Sequence, residues 1–257
     1  MSEPVRTRHA GAVLELTLAR TRPLATVDRA ALEALDEALS RAERDVTVRV
    51  ITLRGEAGSF AGGIDIGEIR HASALEARAL AQCGQRLTRR IERACAPVVA
   101  ILDGDVLGVG LELALACHLR LAAEGTRLGF PDVALGILPG FGGITRLTQL
   151  AGRATALELC LTGTLVGAER ARALGLVHAV HPASSLEGAV AALADRLQHI
   201  PAHALRGVLE AVAAALPAQA EAERMESDAF ALALRTWEAH SRTGPLLDPD
   251  APLMRDT

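Results

Sequence analysis

Two stretches of this chain follow one plan: a run of apolar, β-branched residues, a glycine-rich turn, then an amphipathic or apolar helical pattern. The first joins "VTVRVITLRG" (46–55) to "GSFAGGIDIGEI" (58–69), and the second is "APVVAILDGDVLGVGLELALAC" (96–117). This repeated order constrains the fold to the α/β class, with short apolar strands buried in a sheet and helices packed on it. The remaining segments fit the same frame. "AVLELTLAR" (12–20) reads as a strand, and "DRAALEALDEALSRAERD" (28–45) reads as a helix with Asp28 as N-cap. "ALEARALAQCGQRLTRRIERAC" (74–95) is a helix stopped by Pro97, and "PVVAIL" is a fully buried strand. After residue 145 the pattern becomes mainly helical. A soft boundary near 195–201 divides a core, 1–197, from a helical C-terminal region and tail, 198–257.

Composition removes several classes. The 257 residues carry a net charge of −4, which leaves no basic footprint for nucleic acid. All 27 cationic side chains other than histidine are arginine, and tyrosine is absent. Cys83, Cys95, Cys117 and Cys160 match no zinc spacing and no CxxC pair, so they read as reduced thiols in a cytoplasmic protein with no metal. The first residues, "MSEPVRTRHAG", lack the apolar segment of a signal peptide. The longest apolar run is broken by Asp103, Asp105 and Glu112, which argues against a membrane span.

The two glycine turns are where chemistry can sit. Backbone N–H groups at a helix start lack intrahelical partners and point at whatever lies there. Two such turns brought together offer two N–H donors to one oxygen, an oxyanion hole. A dinucleotide fingerprint is a rival for the second turn, but Leu113 stands where its third glycine belongs. Without lysine there is no GxxxxGK[ST] phosphate loop, and no GxSxG elbow occurs.

Two carboxylates stand in apolar surroundings. Glu112 lies in "GVGLELALAC" and Asp132 in "LGFPDVALGILPGFGG". Burying either costs several kcal/mol, on the order of a lost ion solvation, unless it is paired or protonated. Each has two readings. Glu112 either favours its own helix start through the dipole or acts as an acid or base, and Asp132 is either a turn aspartate or its partner. His118, six residues beyond Glu112, is read on the same helix but on another side, and is taken as structural. His178, His181 and Trp237 are also taken as structural.

These motifs, in this order, resemble the enoyl-CoA hydratase/isomerase superfamily, the crotonase family. "FAGGIDIGEI" is similar to its first oxyanion motif, FxAGAD. The stretch from "APVVAILDGD" to "ITRLTQLAG" (96–152) is similar to its long central signature, and "ELCLTGTLVGAERARALGLVHAVHP" (158–182) to the block that follows. The resemblance covers roughly residues 10–200. It implies a crotonase spiral of ββα units with a helical C-terminal trimerisation part, and a homotrimer or homohexamer. It implies an acyl-CoA substrate, with coenzyme A as part of that substrate and no separate cofactor. By position, the backbone donors fall on Ile64 and Val109 and the two acids on Glu112 and Asp132. Substrate or CoA contacts fall on Ala25, Gly62, Asp65, Ile66, Gly110, Pro131 and Gly140.

The implied activity is reversible hydration of a 2-enoyl-CoA. Glu112 would be the main base for water, and Asp132 the partner that supplies or shares the proton. Isomerisation, decarboxylation or other enolate chemistry on the same hole is the alternative, and a catalytically weak acyl-CoA-binding paralogue is another. The chain departs from the family pattern at four places. Val109 replaces a usual glycine, Asp132 is one methylene shorter than glutamate, and Leu24 replaces a usual cation. The C-terminal Phe and Lys/Arg cluster is not evident.

Overall fold

A computed structural model describes residues 3–19, 26–56, 58–216 and 219–243. Ala25 and Leu24 therefore lie outside the described residues, as does the side chain of Trp237.

Among the described residues ten strands form two sheets. The larger has six strands in the order β1 (Val5–Ala10), β2 (Val13–Leu18), β3 (Val50–Gly55), β5 (Val98–Leu102), β7 (Leu119–Ala123) and β10 (Ala179–His181). Only the β1–β2 hairpin is antiparallel; the other pairs run parallel. The smaller sheet orders β4 (Ser59–Ala61), β6 (Asp105–Leu107), β8 (Arg127–Gly129) and β9 (Val166–Gly167). Successive strands step from the large sheet to the small one three times: β3 to β4, β5 to β6, β7 to β8. Each step ends in a turn and a helical segment, so the chain winds as ββα units, as the family resemblance implies.

Period-2 alternation explains why β5 is apolar throughout. Val98, Ala100 and Leu102 face the main core, while Val99 and Ile101 face a second, smaller cluster. That second cluster is closed by Leu186, Val190 and Ala194.

Ten α-helices are formed among the described residues. Helix α1 (Arg29–Ala42) starts where expected: the Asp28 carboxylate accepts from the Ala31 amide at 2.8 Å. Helix α2 (Ile66–Ile69) is a single turn capped by Asp65. Helix α3 (Ala74–Glu92) begins with a capping box of Ser73 and Glu76. Helix α4 (Val109–Ala116) is buried on every side. A 3-10 turn (Pro131–Leu135) precedes α5 (Gly143–Thr162), which kinks at Gly152. Helices α6 (Ala168–Ala173) and α7 (Ala183–His199) close the core region; α7 supplies the residues that cover the second cluster. Helices α8 (Ala202–Ala215), α9 (Ala220–Ala233) and α10 (Trp237–Thr243) follow. Of these, α9 packs on α3 and α5, and α10 lies on the 3-10 turn.

The structure corrects one expectation. Helix α4 ends at Ala116, so His118 is past it. "LRLAA" reverses into strand β7 because its residues must lie beside β5. The imidazole of His118 accepts from the Val98 amide at 2.9 Å, which makes it a strand-end fastener. His178 acts similarly, accepting from the Arg120 amide at 3.1 Å.

The two glycine turns are pressed together where α4 meets β4. A Cβ on Gly110 would sit 2.3 Å from the carbonyl oxygen of Ala61. Nothing larger than glycine fits without moving one backbone away from the other. We expect Gly110→Ala to cost roughly 1–3 kcal/mol, as overpacking of a tight interior does. Thermal unfolding checks this: a melting temperature several degrees lower is expected, and an unchanged one would show that the two turns separate freely.

Candidate active site

Helix α4 is fixed at both ends. Its N-cap is Gly108, with φ 50° and ψ −122°, a conformation open to glycine at little cost. The Gly108 amide donates to the Gly129 carbonyl at 3.1 Å. At the other end the buried guanidinium of Arg120 donates to the carbonyls of Ala114, Leu115 and Cys117. A cation at a helix C-terminus complements the dipole. The apolar helix is thereby held in one register, and Glu112 with it.

Glu112 does not favour its own helix start. It is 1% exposed, and its Oε1 accepts from two amides of a distant segment, Phe141 at 2.7 Å and Gly143 at 2.8 Å. Gly143 opens α5, so the carboxylate sits at the N-terminus of another helix. Space there is tight: a Cβ on Gly143 would lie 2.6 Å from Glu112 Cγ. The second oxygen, Oε2, is buried and has no hydrogen-bond partner among the described residues. Burial pushes the carboxyl well above the usual range, the charges of Glu226 and Asp132 push further, and the two amides pull back.

Asp132 is the second residue of the 3-10 turn and 9% exposed. Its Oδ1 and Oδ2 lie 3.0 and 3.4 Å from where a Cβ on Gly108 would stand. The carboxyl is thus seated directly over the second glycine turn. Oδ2 has no partner among the described residues. Burial raises this carboxyl to about 6.

Ile64 and Val109 directly follow the glycines of the two turns, Gly63 and Gly108. Val27 pairs with Ile64 in a parallel bridge in which the Val27 amide donates to Gly63 and the Asp65 amide donates to Val27. Both bonds use neighbours of Ile64, so its own N–H faces away from Val27. Among the described residues neither the Ile64 nor the Val109 amide has an acceptor. The two turns touch here, since the same Gly108 Cβ position is 3.4 Å from Gly63 Cα. The two glycine turns thus meet beside Asp132, and Glu112 and Asp132 each keep one buried oxygen without a hydrogen-bond partner among the described residues.

The remaining expected residues divide. Asp65 caps α2 through Gly67, and Ile66 packs against the core. Gly62 belongs to the first turn, and Pro131 opens the 3-10 turn. Gly110 faces Ala61 and joins the turns. Gly140 faces away from them: a Cβ there would meet the Phe230 ring of α9 at 2.9 Å, and its carbonyl accepts from Gln85.

Sequence reasoning missed three contributors. The Phe141 and Gly143 amides carry no side-chain signal. Arg146 does carry one, because a cation in the first turn of a helix opposes the dipole and needs a reason. It is 2% exposed and grips Glu92 with two bonds of 2.8 Å, while Nη1 donates to the Phe141 carbonyl at 2.9 Å. It thereby fixes the peptide segment that holds Glu112. Glu226, on α9, is the third, and it is hidden in an ordinary run of helical charges. Among the described residues no group of three or more His, Cys, Asp or Glu side chains stands ready to hold a metal ion, and no helix is long and apolar enough to cross a membrane.

The pKa of Asp132 fixes a stability prediction. Between its ordinary 3.8 and about 6 the folded chain keeps a proton that the unfolded chain releases. Stability contributed by that proton is therefore full below pH 4 and lost as pH rises through 6, about 3 kcal/mol in all. Asp132→Asn lacks this loss. Denaturant unfolding from pH 4 to 8 should show the variant gaining on the parent as pH rises; parallel curves would contradict the buried placement.

Comparison with known proteins identifies the family. The family model for enoyl-CoA hydratase/isomerase matches residues 8–246. A Bacillus subtilis (strain 168) protein named "Probable enoyl-CoA hydratase" is 45% identical over 147 residues, 57% of each chain. The aligned stretch is thus little more than half of that relative's length. It is 21% of two plant fatty acid beta-oxidation multifunctional proteins. A crotonyl-CoA hydratase of Syntrophomonas wolfei subsp. wolfei is 34% identical over 225 residues, 86% of each chain. The crystal structure of an enoyl-CoA hydratase from Mycobacterium avium subsp. paratuberculosis K-10 superposes with a TM-score of 0.87 at 26% identity, covering 95% of this chain and 99% of that one. With the spiral of ββα units, the joined glycine turns and this match along nearly its whole length, the chain belongs to the enoyl-CoA hydratase/isomerase family.

Proposed function

We propose that the protein adds water reversibly across the double bond of a 2-enoyl-CoA. The observation that carries this reading is the pair of idle carboxyl oxygens, Glu112 Oε2 and Asp132 Oδ2, the latter seated where the glycine turns that precede Ile64 and Val109 meet.

The amides of Ile64 and Val109 receive the thioester carbonyl oxygen. As negative charge develops there, two fixed donors stabilise it without reorganising. Glu112 takes a proton from water as its oxygen bonds to the β-carbon, and Asp132 gives a proton to the α-carbon. One water is consumed, one C–O and one C–H bond form, and the pair retains a single proton to pass back. Elevated proton affinity in both groups suits this work near neutral pH. Coenzyme A enters as part of the substrate, and no further cofactor is needed for the step.

The same reading covers assembly and location. Helix α8 buries none of its residues, and Val208 and Val212 are 62% and 59% exposed. An apolar face of that kind fits a trimer or hexamer built through a C-terminal region beginning near residue 198. Composition and reduced cysteines fit the cytoplasm.

Crotonyl-CoA hydration in water enriched in oxygen-18 tests the proposal. We expect label in the 3-hydroxyacyl product, with Glu112→Gln and Asp132→Asn each lowering kcat by about 100-fold or more. A shifted double bond without label would establish isomerisation instead. Tight binding of crotonyl-CoA with no conversion would establish a binding protein.

A further inference from the structure

A third carboxylate shares the helix end that holds Glu112. Glu226 reaches in from α9 and is 7% exposed. Its Oε1 accepts from the Thr145 amide at 2.8 Å and from the Thr145 hydroxyl. Gly143, two residues earlier, donates to Glu112 Oε1. The first and third amides of α5 are thus divided between a carboxylate of α4 and one of α9. Glu226 Oε2 is buried with no hydrogen-bond partner among the described residues.

The surrounding charges do not balance. Five carboxyl groups converge here: Glu92 from α3, Glu112 from α4, Asp132 from the 3-10 turn, and Glu223 and Glu226 from α9. Two guanidiniums face them. Arg146 is taken by Glu92 at 2.8 Å and touches Glu223 at 3.4 Å, and Arg89 is taken by Glu223 at 2.7 Å. Glu112, Asp132 and Glu226 are left with no ion-pair partner among the described residues. Cys160 of α5 also faces the three, but its thiol is pushed up to about 12 and carries no charge near neutrality. Three carboxylates in a dry region cannot all ionise cheaply, so protons must be shared out.

We infer that Glu226 is a positioning residue for the proton: it keeps its charge on the Thr145 donors and so strengthens Glu112 as the base that takes the proton of water. Glu226 has an amide and a hydroxyl converging on one oxygen, with Arg146 nearby. Glu112 is the more deeply enclosed of the two, and after burial itself Glu226 is the strongest influence raising its proton affinity, ahead of Asp132. Burial raises Glu226 too, against the pull of Thr145 and Arg146. Helix α9 therefore supplies the active pair with its charge state while touching no substrate. As a statement about catalysis this rests on the hydratase reading; as a statement about ionisation it does not.

Glu226→Gln separates charge from structure, because the amide oxygen still accepts both Thr145 bonds. Protein labelled with carbon-13 at glutamate carboxyls would be titrated by NMR, with the Glu112 signal assigned by its loss in Glu112→Gln. We expect the Glu112 midpoint to fall by on the order of one pH unit in Glu226→Gln, as for a unit charge removed nearby in a partly dry site. If crotonyl-CoA is hydrated, the acid limb of kcat/KM should move down by the same amount. Thr145→Val, which removes one donor and neutralises Glu226, should lower the midpoint as well, and Thr145→Ser should restore it. It stands in if Glu226→Gln does not fold. An unchanged Glu112 midpoint in a folded variant would overturn the inference, whatever the enzyme's activity. No hydration by the parent, with a shifted Glu112 midpoint in Glu226→Gln, would overturn the function and leave this inference standing.

Discussion

The bonds from the Phe141 and Gly143 amides to Glu112 Oε1 join parts of the molecule that the chain keeps far apart. One end is the buried helix α4, whose position depends on Gly108 and on the Arg120 cation at its far end. The other end is the start of α5, gripped by Arg146 and through it by α3 and α9. Removing these bonds would leave Oε1, like Oε2, buried without a partner. An unsatisfied buried carboxylate costs more than one hydrogen bond contributes. The carboxylate is therefore the point where the second and third ββα units are tied together.

Charge in this region is arranged by helix ends more than by ion pairs. Arg120 meets carbonyls at the end of α4, and Glu112 and Glu226 meet amides at the start of α5. Backbone partners are fixed in place and lose no side-chain freedom on binding charge. Where guanidiniums do appear, as with Arg146, they anchor peptide segments. Such a frame leaves oxygens of Glu112, Asp132 and Glu226 without the guanidinium that would otherwise occupy them.

Much of this was legible in the residues. Strand, turn and helix order, the Asp28 cap, the glycine turns and the two enclosed acids all follow from local pattern. The order of motifs identified the family and, with it, the joining of the turns. What local pattern could not carry was anything set by distant pairing. "LELALACHL" reads as one helix because nothing in it breaks the apolar run, yet pairing with β5 draws residues 119–123 into a strand. Glu112 lies early enough in its helix to be read as favouring it, and its true donors lie 29 and 31 residues downstream. Gly140 shares the glycine-rich look of its neighbours but serves contact with Phe230. Glu226 sits among charges that alternate for solubility, and only its placement under Thr145 sets it apart.

The long reach of the Thr145–Glu226 contact, 81 residues, bears on how the molecule is made. Most pairings in the large sheet join neighbours along the spiral, and each closes a modest loop. The contact from α9 closes a longer one, and its closure costs some further entropy that docking recovers. During synthesis the sheets and turns can therefore assemble while the acidic cluster is still open to water on the α9 side. Final drying of that cluster waits for α9 to emerge and dock. A nascent chain would thus acquire its shape well before it acquires the proton affinities of the finished site.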